Sequence, residues 1–355
     1  MSIPIFRAGN RLRAIALLAC TALPATALHA ADEPALPYGP GAAKLTVADA
    51  RTDRLLSGDI WYPTGTPDIA VRADKSKVWQ LALADPGGRP AEGTFPLVVV
   101  SHGMYGNTQN QAWLGSALAR RGYIVAMVNH PGTSSFLRDP DQARELWDRP
   151  VDVSRLISFL IGDSDYRDRI DPARIYAAGH SLGGFTVMLL AGAEFDPKRH
   201  ASVCSGDHLP IACDVLAGWS VAETDADRKE MARPRKDARL AGSISLDLGG
   251  TPVLSRASLA AVDIPVLVLG SQRADMLNQD VESRALAASL PQDRVRHLEL
   301  EDAGHFDFMG VCKPGGFAIL AEHEPGDEII CIKGTAERVK QHDRILAEIL
   351  RFTAP

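Results

Sequence analysis

Ile175-Tyr176-Ala177-Ala178-Gly179-His180-Ser181-Leu182-Gly183-Gly184 joins a short apolar run to a G-x-S-x-G pattern and to the start of a second apolar run. The first run predicts a buried strand, and Leu182–Ala191 predicts a helix. A serine at such a strand-to-helix turn is typical of a nucleophile elbow, in which a Cβ on either flanking glycine would collide with the neighbouring backbone. We therefore predict Ser181 as a nucleophile. The alternative is a glycine-rich turn with a capping serine.

Strands and helices alternate on both sides of this turn. Apolar runs predict an opening antiparallel pair at Lys44–Ala50 and Leu55–Tyr62, followed by strands at Leu97–Val100, Ile124–Val128, Ile175–Ala178, Ser243–Leu248, Val266–Leu269 and Arg296–Leu300. Helical periodicity predicts helices at Gln109–Arg121, Val151–Ile161, Leu182–Ala191 and Ala336–Phe352. This alternation predicts an α/β fold in which helices flank a mostly parallel central sheet.

No linker divides the chain after residue 30, so we expect one catalytic domain over residues 31–355. Residues 194–240 interrupt the alternation of strands and helices and carry a charged run. They predict an insertion, which either roofs a pocket as a lid or forms solvated surface.

Composition and charge exclude several classes of protein. The chain has 355 residues, of which 46% are hydrophobic and 23% charged, so it can bury a large core. Its 38 Lys and Arg against 44 Asp and Glu give a formal charge of −6. We therefore expect no nucleic-acid partner, because there is no basic surplus to neutralise a phosphate backbone. No apolar stretch in the body approaches the ~20 residues that a membrane span requires.

The first thirty residues predict a secretory signal peptide. Arginines precede the apolar run Ala14–Leu23, and residues 27–31 read Ala-Leu-His-Ala-Ala, which is typical of a cleavage site. We therefore assign residues 1–30 to the signal and expect a periplasmic or secreted protein. Lipidation at Cys20 is the less favoured alternative, because the apolar run before Cys20 is short and continues beyond it.

An exported chain with an even number of cysteines favours disulfides. Apart from Cys20 there are four, namely Cys204, Cys213, Cys312 and Cys331. They allow three connectivities. We favour the local pairs Cys204–Cys213 and Cys312–Cys331, because each closes a single loop. A zinc site is disfavoured since neither C-x-x-C nor H-E-x-x-H occurs, and we expect no metal and no cofactor.

The remaining chemistry is predicted at two further strand ends. Glu301-Asp302-Ala303-Gly304-His305 follows the last predicted strand directly, which makes His305 the candidate base for Ser181. An oxyanion hole requires two backbone N–H donors. We assign them to Leu182, directly after the nucleophile, and to Met104, in the Ser101–Asn107 loop after an early strand. The alternative for that loop is an ordinary glycine-containing connection.

Three motifs together carry a resemblance. Gly179–Gly184, Ser101–Asn107 and Gly304–Phe308 resemble the α/β-hydrolase superfamily, and within it the bacterial proteins similar to dienelactone hydrolase and to platelet-activating-factor acetylhydrolase. The resemblance covers most of the chain after residue 30 and implies hydrolysis of an ester. Dienelactone hydrolases proper use a cysteine nucleophile, whereas this chain has Ser181 at that position.

The acid that orients His305 has two candidates. Asp275 follows strand Val266–Leu269 by a short loop, the usual place of the acid in the superfamily that the chain resembles. Asp247 lies one strand earlier, where Ser-Leu-Asp is similar to the acid position of the acetylhydrolases. We favour Asp275, because Asp247 is predicted to lie within its strand. Asp263 begins a strand and belongs to the opposite end of the sheet.

These features predict an exported serine hydrolase that cleaves carboxylic esters through a Ser-His-Asp triad and an acyl-enzyme. The expected substrate is a small-molecule ester or a lipid. One alternative is a peptidase or amidase that uses the same triad. Another is a binding protein of the same fold without turnover, against which the presence of both Ser181 and His305 argues.

Overall fold

The structure is a computed structural model that describes residues 36–49, 52–65, 76–80, 82–206 and 209–355, without the side chains of Asp49 and Thr52. The predicted signal peptide and Cys20 lie outside the described residues. Among those residues, no helix is long and apolar enough to cross a membrane.

Most strands of the described chain are short, and the three long ones are the first, the second and the eighth in chain order. They are β1 Gly39–Asp49, β2 Thr52–Thr64, β3 Asp85–Pro86, β4 Phe95–Ser101, β5 Ile124–Asn129, β6 Thr133–Ser134, β7 Leu137–Arg138, β8 Ile170–His180, β9 Leu240–Leu246, β10 Val266–Ser271 and β11 Val295–Leu300.

The helices follow the strands in alternation over most of the chain. They are α1 Ala112–Ala119, α2 Pro140–Arg144, α3 Asp148–Gly162, α4 Leu182–Ala191, α5 Pro197–Val203, α6 Ile211–Gly218, α7 Asp225–Met231, α8 Arg256–Ala260, α9 Ser283–Ser289, α10 Gly316–His323 and α11 Thr335–Phe352. Short 3-10 turns add Arg167–Arg169, Thr251–Val253, His305–Phe308 and Asp327–Cys331.

In the described part of the chain, nine strands form one sheet in the order β11-β10-β9-β8-β4-β5-β2-β1-β3. The strands from β11 to β5 are parallel to one another, whereas β2 runs antiparallel to both β5 and β1. The predicted α/β architecture with a mostly parallel sheet is therefore confirmed. The predicted opening hairpin is present as β1 and β2.

Both faces of the sheet are covered, which explains the uninterrupted apolar strands. Along β4, Val98 and Val100 belong to a core cluster that includes residues of α1 and α11, whereas Leu97 and Val99 belong to a cluster on the other face that includes α3 and α4. Alternate side chains of a strand point to opposite faces, so a strand covered on both sides must be apolar throughout.

Several predicted boundaries differ from the structure, and two of the differences bear on the site. The helix predicted at Gln109–Arg121 begins only at Ala112, because side-chain oxygens of Asn107 and Asn110 accept backbone N–H groups and fold the preceding residues into turns. Strand β9 ends at Leu246, not at Leu248. Asp247 has φ 48°, a left-handed conformation that cannot continue a strand.

A crevice is expected at the carboxyl end of β4, where successive strands are added on opposite sides of that strand. From β4 the chain continues to β5 on one side, and β8 lies on the other side of β4. Ser101 at the end of β4 is in register with Gly179 of β8, so the loops that follow both strands leave the sheet side by side. Open α/β sheets bind ligands at such a switch point.

Both favoured disulfides are present, and each one holds a segment outside the sheet. Cys204–Cys213 joins the end of α5 to α6 within the predicted insertion, which consists of α5, α6 and α7. Cys312–Cys331 closes the segment that contains α10. Each bond therefore restricts a chain segment that the sheet itself does not hold.

Removing either disulfide should lower stability. We expect the Cys312→Ser/Cys331→Ser double variant to lose about 3 kcal/mol of unfolding free energy, because the loop is no longer closed in the unfolded state. Urea unfolding of the purified protein measures this loss, and Cys204→Ser/Cys213→Ser is the matched control with a shorter loop. Unchanged unfolding of the wild-type protein under a strong reductant would contradict the expectation.

Candidate active site

Ser181 occupies a strained turn between β8 and α4. Its backbone has φ 55° and ψ −120°, a conformation that L-residues rarely adopt. A Cβ on Gly179 would overlap the carbonyl of Gly183, and a Cβ on Gly183 would overlap the carbonyl of Ser101. The two glycines are therefore required for the turn, as predicted, and strain at such a position is typical of functional sites.

His305 lies on the same cavity as Ser181 and is held at three points. Its ring Nδ1 is 2.6 Å from Asp247 Oδ2. Its backbone N–H donates to Asp275 Oδ1 at 3.0 Å, and its carbonyl accepts a hydrogen bond from His180 Nε2 at 2.9 Å. Burial, followed by repulsion from His305, lowers the pKa of His180 to about 3, so His180 is neutral and can serve as this donor.

The two candidate acids make different contacts with His305. Asp275, which the sequence favoured, contacts the backbone of His305 through Oδ1. Its other carboxylate oxygen, Oδ2, lies 3.4 Å from the guanidinium of Arg273. Asp247, the alternative, contacts the imidazole itself. The physical reason is the early end of β9: Asp247 is the first residue beyond the strand, and its left-handed backbone turns the carboxylate toward His305.

Asp247 is a fully buried carboxylate with several donors. Ser271 contributes its N–H at 2.7 Å and its hydroxyl at 3.1 Å, and Gln279 contributes its side-chain amide at 2.9 Å. Burial by itself raises the pKa of Asp247, but the hydrogen bond and charge interaction with His305, together with the Ser271 N–H, lower the pKa below its usual value. The carboxylate is therefore ionised and has a fixed orientation.

The loop after β4 packs against the elbow. A Cβ on Gly103 would lie 3.3 Å from Ser181 Cβ, so the loop approaches the nucleophile closely. Met104, the next residue, is 45% exposed and lines the same cavity, and Leu182 is the first residue of α4. The two predicted oxyanion donors thus belong to segments that meet at Ser181.

Ser181 and His305 open onto one cavity of about 470 Å³. The insertion contributes Ile211, Ala212, Val215 and Leu216 of α6 to its wall. Trp219, which follows α6, donates its Nε1–H to the Tyr105 hydroxyl at 2.8 Å and so connects the insertion to the loop after β4. The wall is mostly apolar, as expected of a site for an apolar ligand.

Two further segments complete the cavity. The β6–β7 hairpin contributes Phe136, which is 75% exposed, and Arg138. The segment closed by Cys312–Cys331 contributes Leu320, Glu324 and several residues near Ile329. Arg138 and Glu324 face each other at 3.8 Å, so an ion pair bridges these two walls.

No group of three or more His, Cys, Asp or Glu side chains with metal-binding geometry occurs among the described residues. Two other histidines near the loop after β4 have structural contacts. His102 and His130 are fully buried, and burial, followed by the charge of Arg149, lowers the pKa of each well below its usual value.

A family comparison matches the part of the chain that carries the elbow. The family described as alpha/beta hydrolase fold matches residues 96–207. The chain has the α/β-hydrolase fold. A solved structure of ferulic acid esterase from Streptomyces cinnamoneus superposes with a TM-score of 0.61 over 91% of each chain, at 21% sequence identity. The predicted resemblance to this superfamily is confirmed.

Curated proteins with similar sequences match only over part of their length. Bis(hydroxyethyl) terephthalate hydrolase of Streptomyces coelicolor is 30% identical over 146 residues, which are 41% of this chain and 36% of that protein. Cutinase 2 of Thermobifida cellulosilytica is 33% identical over 108 residues, 30% and 37% of the two chains. Cutinase est2 of Thermobifida alba is 23% identical over 217 residues, 60% and 53% of the two chains. This chain thus spans between 36% and 53% of the length of these relatives.

Several residues that shape this site were not found from the sequence. Gln279 and Glu282 lie in a stretch without a motif. Arg149 lies in the first turn of α3, where no motif marks it either. One signal was available for Asp247, because Gly249-Gly250 follows it after a single residue, Leu248, and indicates a turn close to Asp247.

Glu282 supports the loop that follows Asp247. The carboxylate accepts the N–H groups of Gly250 at 2.9 Å and Thr251 at 2.8 Å. Burial raises the pKa of Glu282 to about 7, although those two hydrogen bonds act in the opposite direction. A carboxyl whose pKa is higher in the folded than in the unfolded state stabilises the fold at low pH, and this contribution is lost as pH rises.

The contribution of Glu282 to stability should therefore fall between about pH 4.5 and pH 7. We expect wild-type protein to lose stability relative to Glu282→Gln across this interval, because the neutral amide does not ionise. Urea unfolding of both proteins at several pH values measures the difference. Parallel stability curves for the two proteins would show that Glu282 does not titrate in this window.

Proposed function

We propose that this protein is an exported serine hydrolase that cleaves carboxylic esters. The observation that carries the proposal is the arrangement of a nucleophile elbow and a histidine held by a buried carboxylate around one apolar cavity. The relatives named as cutinases and as a terephthalate hydrolase support ester chemistry. The proposal rests on the site first, because those relatives match over only part of their length.

In the proposed reaction, Ser181 attacks the ester carbonyl while His305 accepts the hydroxyl proton. The negative charge that develops on the carbonyl oxygen is stabilised by the N–H groups of Met104 and Leu182, aided by the positive end of α4. His305 then returns the proton to the leaving alcohol. The product of this first half is an acyl-enzyme and a free alcohol.

Water releases the acid in the second half. His305 takes a proton from water, the hydroxide attacks the acyl carbonyl, and Ser181 recovers its hydroxyl hydrogen. Asp247 accepts the Nδ1–H of His305, which keeps Nε2 free to act as the base and stabilises the imidazolium that forms. Every step uses groups of this chain and water.

The cavity supports an uncharged ester with apolar groups on one or both sides. Side chains of α6, of the β6–β7 hairpin and of the Cys312–Cys331 segment surround Ser181. The charged side chains Arg138 and Glu324 are paired with each other across the cavity wall. A carboxylate or ammonium on the substrate would therefore have to compete with an existing ion pair.

Export is part of the proposal. Residues 1–30 have the composition of a signal peptide, and two disulfides are compatible with an oxidising compartment. We assign the mature protein to the periplasm or the medium.

Ser181→Ala should lower the rate of p-nitrophenyl butyrate hydrolysis by several orders of magnitude. The remaining site should still accelerate the reaction about 10³–10⁴-fold over water. Initial rates and labelling by a fluorophosphonate probe measure the loss. Ser245→Ala is the matched control, because Ser245 is buried on the neighbouring strand and its hydroxyl has no partner among the described residues. More than a tenth of wild-type activity in Ser181→Ala would reject the mechanism.

A parallel substrate comparison separates the competing activities. Peptide p-nitroanilides and p-nitrophenyl esters are offered to the wild-type protein under identical conditions. Faster release of p-nitroaniline would identify a peptidase or amidase. Absence of turnover and of fluorophosphonate labelling would identify a binding protein.

Asp247→Asn should lower kcat by up to about 10⁴-fold, because an amide cannot hold His305 in the required tautomer. Asp275→Asn is the matched control: its amide oxygen can still accept the His305 backbone N–H, so we expect a loss of less than about tenfold. Steady-state kinetics with circular dichroism of both variants measures the ranking. The opposite ranking would return the role to Asp275.

A further inference from the structure

Arg149 is an unusual residue for the place that it occupies. It lies in the first turn of α3, and its side chain is 1% exposed. A cation at a helix amino terminus meets the positive end of the helix dipole, and burying a charge is costly unless its donors are satisfied. The contacts of Arg149 must therefore compensate for both effects.

Among the described residues, the guanidinium makes hydrogen bonds only to uncharged acceptors. Nη1 donates to Thr133 Oγ1 at 2.7 Å, and Nε donates to Thr186 Oγ1 at 3.0 Å. Nη2 donates to Ser101 Oγ at 3.1 Å and to the carbonyl oxygen of His102. One planar side chain thus connects the end of β4, helix α4 and the β6–β7 hairpin.

Two of these contacts lead to the proposed oxyanion donors. The His102 carbonyl belongs to the peptide unit that precedes Gly103, one residue before Met104. Thr186 Oγ1 in turn donates to the carbonyl of Leu182 at 3.0 Å. Arg149 therefore fixes the backbone on both sides of the place where the substrate oxygen would lie.

Asp152 supplies a negative charge near the guanidinium, whereas Arg54 adds a second positive charge. Asp152 lies one helical turn further along α3 and is paired with Arg54 at 2.7 Å and with His130 Nδ1 at 2.9 Å. His130 Nε2 lies 2.9 Å from Ser101 Oγ. This Ser-His-Asp chain has the connectivity of a catalytic triad, but Ser101 is fully buried and does not line the cavity, so the chain serves as a scaffold around Arg149.

We propose that Arg149 is a positioning residue that sets the spacing of the Met104 and Leu182 N–H groups. The inference rests on the proposed function, because it concerns the oxyanion hole of that reaction. An arginine is required because its rigid fork reaches the His102 carbonyl and Thr186 together, which the single ammonium of lysine cannot do. A change at Arg149 should weaken stabilisation of the transition state rather than binding of the substrate, because the oxyanion forms only as the transition state is reached.

The test compares Arg149→Lys and Thr186→Val with wild-type protein. Both variants remove the Arg149–Thr186 connection, and Thr186→Val retains the arginine and the size of the side chain. We expect kcat for p-nitrophenyl butyrate to fall about 10–100-fold, with KM changed by less than about twofold. The affinity for an alkyl boronic acid, which forms a tetrahedral adduct with serine, should fall in parallel with kcat.

Thr133→Val is the matched control. It also removes one buried hydrogen bond to Arg149, but on the hairpin side of the guanidinium. We expect the melting temperature of Thr133→Val to fall by about as much as that of Thr186→Val, and its kcat to equal that of the wild-type protein. Active sites are titrated with a fluorophosphonate, so that kcat refers to folded, reactive protein in every case.

The outcomes separate the two proposals. If wild-type protein neither turns over an ester nor reacts with the fluorophosphonate, the proposed function fails and the role of Arg149 fails with it. If wild-type protein is active but all three variants keep its kcat per titrated site, only the role of Arg149 is rejected. Equal losses in Thr133→Val and Thr186→Val would make Arg149 a purely structural residue and would also reject it.

Discussion

The backbone of Ser181, at φ 55° and ψ −120°, is the constraint on which the site depends. Helix α4 must start directly at the end of β8, and it can approach so closely because Gly179 and Gly183 have no Cβ to overlap the neighbouring carbonyls. The turn is strained, and packing supports it: α4 is buried along its whole length between the sheet and α3. The energy that keeps the serine in this conformation therefore comes from the core rather than from the site.

His305 shows how a short loop can be positioned accurately without regular structure. Its ring is held by Asp247, its N–H by Asp275 and its carbonyl by His180. Three segments at the carboxyl ends of neighbouring strands thus determine where one imidazole lies, namely the end of β8 and the loops after β9 and β10. Asp275 contacts the main chain of the histidine rather than its ring.

The walls of the cavity are built from segments that the sheet does not hold directly. The insertion contains the Cys204–Cys213 disulfide, Cys312–Cys331 closes the segment around α10, and the Arg138–Glu324 ion pair bridges that segment to the β6–β7 hairpin. These links differ in chemistry, but each restricts a segment that lies outside the sheet. Substrate selectivity in this fold is a property of such segments, whereas the reacting groups belong to the strand ends.

The local patterns predicted the succession of the longer strands along the chain, the elbow at Ser181 and the base candidate His305, because each depends on periodicity, on glycine or on spacing along the chain. They also favoured the two local disulfide pairs among three possible connectivities. The sequence favoured Asp275 over Asp247, because Asp247 was predicted to lie within its strand. Only the tertiary structure shows which carboxylate contacts the imidazole: β9 ends one residue before Asp247, and the left-handed turn there brings that carboxylate to the ring. Arg149 was equally invisible, because its role consists of contacts with residues up to 48 positions away in sequence, which no local pattern records.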